Sequence, residues 1–344
     1  MRIGLIGLGR IGAFHAGTLS SLDTIDSLVV TDILPERVRQ VTDRYGAEGV
    51  GSVGELLAAG VDGVVVAAGT DVHAPLILAC AEAGVPTLCE KPVASDSAAG
   101  AALLRRLADY DVPVMMGFQR RYDGAMAAVK AAVDAGELGR LTTVRSTTMD
   151  PEPPSRDYIA GSGGLYRDCG VHDFDIVRWV TGQEAVEVYA IGSDRGAAFF
   201  AEVGDVDTAT AVITFADGTL GVVSNTRYNG RGYDVRLEVH GSADSIAAGI
   251  DPKWPMRDAT PGTAAAGSPP HRFFMDRFAD AFRVEFETFL DVAAGKQPSP
   301  CTVADGLEAD WIAEACVRSA AEHRPVRIEE VRPAATADSK PSAS

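Results

Sequence analysis

The sequence predicts two domains of different class. Residues 1–120 read as an α/β unit with a doubly wound parallel sheet. Residues 121–332 read as an α+β unit with a large open, mostly antiparallel sheet, and residues 333–344 as a disordered tail. Three observations carry this. Short apolar strands alternate with amphipathic helices through residues 1–120, the pattern of a parallel sheet with right-handed crossovers. A glycine-rich turn closes the first strand. After Tyr122 the strands lengthen and follow one another through short turns, as antiparallel sheets require.

Strands are expected in the first unit at 2–6, 28–31, 63–67, 85–89 and 112–116. A helix over 35–45 opens on Pro35, whose fixed φ suits a first turn, and stops at Gly46. Another helix follows at 96–110. The second unit begins with a helix over 124–135, ended by Gly136. Strands follow at 141–148, 185–191, 208–215, 220–226 and 233–240, with Asp217-Gly218 as a hairpin turn. A helix runs from Asp168 to Val180, before Gly182. Residues 258–270, rich in Ala, Gly, Pro and Thr, read as a loop. A long helix over 273–294 carries Phe274, Phe278, Phe282, Phe286 and Phe289, whose spacing marks a core-facing stripe. The tail is too small and polar in composition to bury a core.

The chain of 344 residues carries a net charge of −17. That charge repels phosphate backbones and anionic lipid, so nucleic acid and membrane partners are not expected. A small neutral substrate is. No apolar run reaches the roughly 18 residues of a membrane helix. Met1 leads straight into a strand with no cleavage site. The five cysteines are widely spaced, with no zinc-type pair and no disulfide framework, which fits a reducing cytoplasm. A broad sheet with one uncovered face predicts a homo-oligomer.

Gly7-Leu8-Gly9-Arg10-Ile11-Gly12 is a G-x-G-x-x-G that follows a strand and opens a helix, the context a dinucleotide fingerprint needs. Gly7 permits the tight turn, Gly9 lets backbone approach a pyrophosphate, and Gly12 lets the helix lie close to the strand. The helix N-terminus adds N–H donors and a positive dipole end. Asp32 ends the second strand, about 20 residues beyond the glycines, where a carboxylate accepts from the adenine ribose hydroxyls. Apolar Ile33 follows it, so NAD is expected over NADP; Arg37 lies nearby on the next helix.

Glu90-Lys91-Pro92 lies at the C-terminal end of the fourth predicted strand, where open α/β sheets bind ligands. Lys91 there can donate to a substrate oxygen; a lone turn lysine on the surface is the plainer alternative. Asp168 and His172 sit about one helical turn apart and share a helix face. Asp168 reads as an N-cap or a catalytic carboxylate, and His172 as a core histidine or a base. A metal pair lacks a third ligand at suitable spacing, so no metal is expected.

With these motifs, and with Thr70-Asp71-Val72-His73 after the third strand and the Gly163-Gly164 pair before Asp168, the sequence resembles the glucose–fructose oxidoreductase, inositol dehydrogenase and rhizopine-catabolism (Gfo/Idh/MocA) family to about residue 330. The resemblance implies an N-terminal Rossmann domain, a C-terminal α+β domain and commonly a tetramer. It implies a catalytic trio at Lys91, Asp168 and His172. It adds Thr70, His73, Glu90 and Lys91 to the cofactor residues Gly7, Gly9, Arg10, Ile11, Gly12 and Asp32. Within the family, the stretches 117–123, Tyr158-Ile159, 171–175 and 232–236 are most similar to inositol 2-dehydrogenases. That likeness implies substrate contacts at Lys91, Arg121, Asp150, Asp168, His172 and Tyr233. Thr148-Met149-Asp150-Pro151, Glu152 and Gly170 depart from the usual pattern.

The expected reaction is NAD-dependent oxidation of a secondary ring hydroxyl. His172 takes the hydroxyl proton, with an acidic limb near histidine's ordinary pKa of about 6.5. Asp168 orients the imidazole, and Lys91 stabilises the developing alkoxide. A dehydrogenase of another sugar or amino-polyol, and a non-catalytic NAD-binding sensor, remain alternatives.

Overall fold

Buried Val, Leu and Ile runs such as Ile3, Leu5, Val29, Val30 and Val64–Val66 form strands covered on both faces, as a parallel sheet demands. The computed structural model describes residues 1–261 and 268–333. Its first sheet is six-stranded and wholly parallel, in the order β3-β2-β1-β4-β5-β6. These strands are β1 (Arg2–Ile6), β2 (Ser27–Thr31), β3 (Glu48–Gly49), β4 (Gly63–Val66), β5 (Thr87–Glu90) and β6 (Val114–Gly117). Helices α1 (Arg10–Ser20), α2 (Pro35–Tyr45), α3 (Val53–Ala58), α4 (His73–Glu82) and α5 (Ser97–Leu107) connect them. Helix α2 has Pro35 in its first turn and ends on Gly46 at φ 69°, as its sequence dictates. The strand order reverses between β1 and β4, which opens a crevice beyond their C-terminal ends.

The second sheet has seven strands in the order β12-β11-β7-β10-β9-β8-β13. It comprises β7 (Leu141–Met149), β8 (Ala185–Ser193), β9 (Thr208–Phe215), β10 (Leu220–Thr226), β11 (Asp234–Gly241), β12 (Ser245–Ala248) and β13 (Val326–Arg327). Only the β7–β10 pair is parallel; the other pairs are antiparallel. Gly218 turns β9 into β10 at φ 87°. Helices of this half are α6 (Gly124–Asp134), α7 (Arg156–Gly161), α8 (Val171–Thr181), α9 (Phe199–Glu202), α10 (Phe274–Arg277), α11 (Ala279–Ala293) and α12 (Val303–Glu322). α8 and α12 cover one sheet face. The other face presents Tyr189, Ile191, Val212 and Leu220, each more than 40% exposed.

Two expectations are corrected. The long aromatic helix breaks at Phe278, whose φ −113° and ψ 20° leave the helical region. α11 nonetheless buries Phe282, Phe286 and Phe289. Its Phe286, Phe289 and Leu290 join the core of the first sheet, so the two halves share packing. The helix expected from Asp168 begins instead as a π turn, Tyr166–Gly170, which runs into α8. The predicted loop and tail fall partly outside the described residues, at 262–267 and 334–344.

Candidate active site

The nucleotide turn is built as its glycines require. Gly7 has φ 90°, and a Cβ there would lie 2.7 Å from the Ala67 carbonyl. At Gly12 a Cβ would sit 2.0 Å from the Gly7 oxygen. Above Gly9 only Arg37 Nη1 comes within reach, at 4.0 Å; the backbone lies open to an approaching group. Gly9 caps α1 without a side-chain hydrogen bond, and no acidic residue occupies the first turn. Those N–H donors and the dipole end suit a pyrophosphate. Asp32 ends β2 and is held by N–H donation from Leu8 (2.6 Å) and Leu34 (2.9 Å). Arg37 Nη1 stands 3.6 Å from its Oδ1, and Ile33 is 94% exposed beside it. These residues fit an NAD adenosine and pyrophosphate.

Lys91 follows β5 and is joined to Pro92 by a cis bond. Lys91 Nζ donates to the Asp168 carbonyl (2.8 Å) and to its Oδ1 (3.3 Å). The same Oδ1 accepts from Tyr158 Oη at 2.9 Å. Arg227 donates to Asp168 Oδ2 (2.6 Å) and to Asp150 Oδ2 (2.7 Å). Burial alone would raise the Asp168 carboxyl. Lys91 and Arg227, with hydrogen bonds from Arg227 and Tyr158, outweigh it and hold the group down at about 2. Burial likewise favours neutral Lys91, but Asp168 and the other acidic neighbours keep its pKa above the ordinary lysine value.

His172 stands in the first turn of α8, its ring in a T-shaped arrangement with Phe118 at a centroid distance of 5.9 Å. Nδ1 has no hydrogen-bond partner among the described residues. Burial, then the charges of Lys91 and Arg120, lowers its pKa well below 6.5, so the imidazole is neutral at neutral pH. Asp173 locks this turn to the second sheet. It accepts from Arg120 (2.7 Å), Ser146 (2.5 Å), Thr148 (2.9 Å) and Asn225 (2.8 Å), with no side-chain exposure.

Lys91, Asp168 and His172 therefore gather at one place, but the expected Asp168–His172 hydrogen bond is absent among the described residues. The π turn closes hydrogen bonds one residue further on than an α-helix does, which breaks the assumed α-helical register. The Asp168 oxygens go to Lys91, Tyr158 and Arg227 instead. Arg121, expected at the substrate, points elsewhere: its Nε donates to Asp175 (2.9 Å) and its Nη1 to the Pro300 carbonyl (2.9 Å). Its neighbour Arg120 is the arginine whose charge reaches His172 and Tyr233. Tyr233, 5% exposed, precedes β11, and Asp150, 6% exposed, follows β7. Both His73 ring nitrogens face protein carbonyls, Nδ1 that of Pro92 at 2.7 Å and Nε2 that of Ala68 at 3.2 Å, and the tautomer sets which one donates. The ring is buried in the first turn of α4, turned toward the protein. The Glu90 carboxylate turns to His15 Nε2 at 2.6 Å. Thr70 opens a short 3-10 turn, and Ile11 follows Arg10 in α1. Arg227 and Tyr158 were not among the expected site residues; only the position of Tyr158 beside the Gly-Gly pair hinted at either. Among the described residues, no group of three or more His, Cys, Asp or Glu side chains is placed to hold a metal, and no helix is long and apolar enough to cross a membrane.

Residues 1–118 match the oxidoreductase family with an NAD-binding Rossmann fold, and residues 126–247 match the GFO/IDH/MocA C-terminal domain. The chain is 41% identical over 323 residues to the myo-inositol dehydrogenase Hyg17 of Streptomyces leeuwenhoekii, covering 93% of this chain and 97% of that one. The crystal structure of a myo-inositol dehydrogenase from Corynebacterium glutamicum superposes with a TM-score of 0.88 at 34% identity, over 95% of this chain and 98% of that one. A scyllo-inositol dehydrogenase from Lactobacillus casei, solved with bound NAD(H) and scyllo-inositol, gives 0.85 at 26% identity, over 96% and 99%. Likeness of this degree, over nearly the full length of each protein, settles the family: the chain belongs to the GFO/IDH/MocA oxidoreductases, with an NAD-binding Rossmann domain at its N-terminus.

Proposed function

We propose that this protein is an NAD-dependent dehydrogenase that oxidises a secondary hydroxyl of inositol to a ketone. The observation that carries the reading is that Lys91, held by Asp168, gathers with His172, whose Nδ1 has no partner among the described residues, at the end of the crevice that carries the nucleotide turn. The names of the relatives supply the substrate class. Bound NAD supplies the hydride acceptor. His172 accepts the hydroxyl proton as the C–H bond gives up its electron pair. Lys91 donates to the same oxygen and stabilises the charge that develops there. Asp168 keeps Lys91 protonated and in place. Buried Asp150 and Tyr233 and the neighbouring Arg120 give the pocket wall polar groups that a hydroxyl-rich ring would satisfy. An analogue without the reacting hydroxyl would leave Lys91 and His172 without a substrate partner.

The test is NAD reduction over a panel of cyclic polyols, aldoses, amino-polyols and simple alcohols. Oxidation of myo-inositol or a close cyclic polyol, with simple alcohols inert, is expected. Activity confined to aldoses, open-chain sugars or amino-polyols would overturn inositol as the substrate. Binding of NAD with no turnover on any of them would favour a sensor.

The proposal includes a homo-oligomer, a dimer or tetramer, formed through the uncovered face of the second sheet. Exposed Tyr189, Ile191, Val212 and Leu220 support it, since apolar surface spread over a flat sheet is usually covered by a partner. It also includes a cytoplasmic setting, supported by five free cysteines, all buried.

A further inference from the structure

Arg10 is the one charged side chain of the nucleotide turn, and it does not stand free. Its guanidinium lies 5.6 Å from the Tyr158 ring centroid, 5.3 Å from Phe273 and 5.7 Å from Phe274. All three rings belong to the second half of the chain, so this contact spans the crevice. Tyr158 is 40% exposed and sits on the short helix α7. Its hydroxyl donates to Asp168 Oδ1, the oxygen that also faces Lys91 Nζ. Burial, with Asp168 next to it, raises the Tyr158 pKa, which keeps the hydroxyl a donor. One side chain thus touches both the nucleotide turn and the catalytic carboxylate.

We propose that Tyr158 is a positioning residue that couples the two sites: its ring carries Arg10 of the nucleotide turn, while its hydroxyl shares the Asp168 carboxylate with Lys91. The two functions sit on different atoms and are separable. Without the hydroxyl, Lys91 is the one remaining donor to Oδ1 among the described residues, and the ammonium is drawn onto it and away from the substrate oxygen. Without the ring, Arg10 loses a face of its aromatic support, and the turn that receives the pyrophosphate loosens. The kinetic half of this proposal rests on the dehydrogenase reading above; the binding half rests on NAD alone.

Tyr158→Phe keeps the ring and removes the hydroxyl, whereas Tyr158→Leu removes both. NAD affinity is measured by calorimetry without substrate, alongside the melting temperature and kcat on whichever polyol the wild-type protein oxidises. Tyr158→Phe should leave the NAD Kd unchanged and lower kcat about tenfold, the worth of one hydrogen bond to a charged group. Tyr158→Leu should lower kcat as much and also weaken NAD about threefold, a typical cation–π contribution. In a double-mutant cycle, Arg10→Leu/Tyr158→Leu should weaken NAD no more than Arg10→Leu alone, because the two changes remove one interaction. Additive effects on Kd would overturn the Arg10 coupling. A Tyr158→Phe kcat near wild type would overturn the Asp168 role. Losses in both variants that simply track melting temperature would reduce Tyr158 to a structural residue. If the wild-type protein oxidises no polyol, the dehydrogenase reading falls, and the calorimetric cycle still decides the coupling.

Discussion

The fold makes His172 a weaker base than a free histidine and leaves its imidazole neutral at neutral pH, the form the proposed proton transfer needs. Burial and two nearby cations, Lys91 and Arg120, disfavour the imidazolium, so the ring is already empty when substrate arrives. The sign follows directly. If His172 is the base as proposed, activity requires its neutral form and is lost as pH falls through a pKa lowered from 6.5. The acidic limb of kcat/KM should therefore lie clearly below 6.5, not near the ordinary histidine value that the sequence implied. His172→Ala should remove the limb together with most turnover. A limb at or above 6.5 in the wild-type profile would contradict this environment. The gathering of Lys91, Asp168 and His172 was legible in the motifs, but the partners of Asp168 were not. Asp168 meets Lys91 across 77 positions and Arg227 across 59, and no local pattern encodes such pairings. Arg120 and Arg121 are adjacent and alike in sequence, yet one joins Asp173 and the other Asp175.

Helix α8 and the π turn ahead of it bring His172 to the sheet, and Asp173 is what fixes them there. Its carboxylate accepts from one arginine, one amide and two hydroxyls drawn from β7, β10 and the turn after β6. Asp173→Ala strands Arg120, whose side chain is 2% exposed. Breaking one partner of a buried pair costs about 3–5 kcal/mol. Chemical denaturation of this variant should show a loss of that order; a loss below ~1 kcal/mol would mean that the clamp is dispensable. Elements with a strong pattern were legible: the five longer parallel strands of the first sheet, α2 between Pro35 and Gly46, and the Asp217-Gly218 hairpin. The short strands β3, β12 and β13 were not, because two to four residues at or near a sheet edge carry no period of their own. The π turn was also hidden, since its five residues, Tyr166–Gly170, are too few to carry a period of their own.

The molecule joins a covered parallel sheet to a second sheet that is covered on one face only. α11, late in the chain, returns to pack Phe286 and Phe289 into the first core, so the crevice between the two halves is held from behind. The division into two classes was legible from the change in strand length after Tyr122, while this return crossing was not, because an aromatic stripe does not name the surface it packs on. The uncovered face makes its own prediction. Light scattering at micromolar concentration should show a dimer or larger assembly, and Val212→Arg, on the open face of β9, should shift it toward monomer while NAD binding persists. Wild-type protein that is monomeric throughout would remove the open sheet as an interface. For the chemistry itself, the most direct measurement uses myo-inositol deuterated at every ring carbon, incubated with NAD, with mass spectrometry of the reduced cofactor. Hydride transfer from the ring carbon predicts one deuterium per reduced nicotinamide, none of it exchanged from solvent. Reduced nicotinamide without deuterium, or no reduction at all while NAD binds, would contradict it.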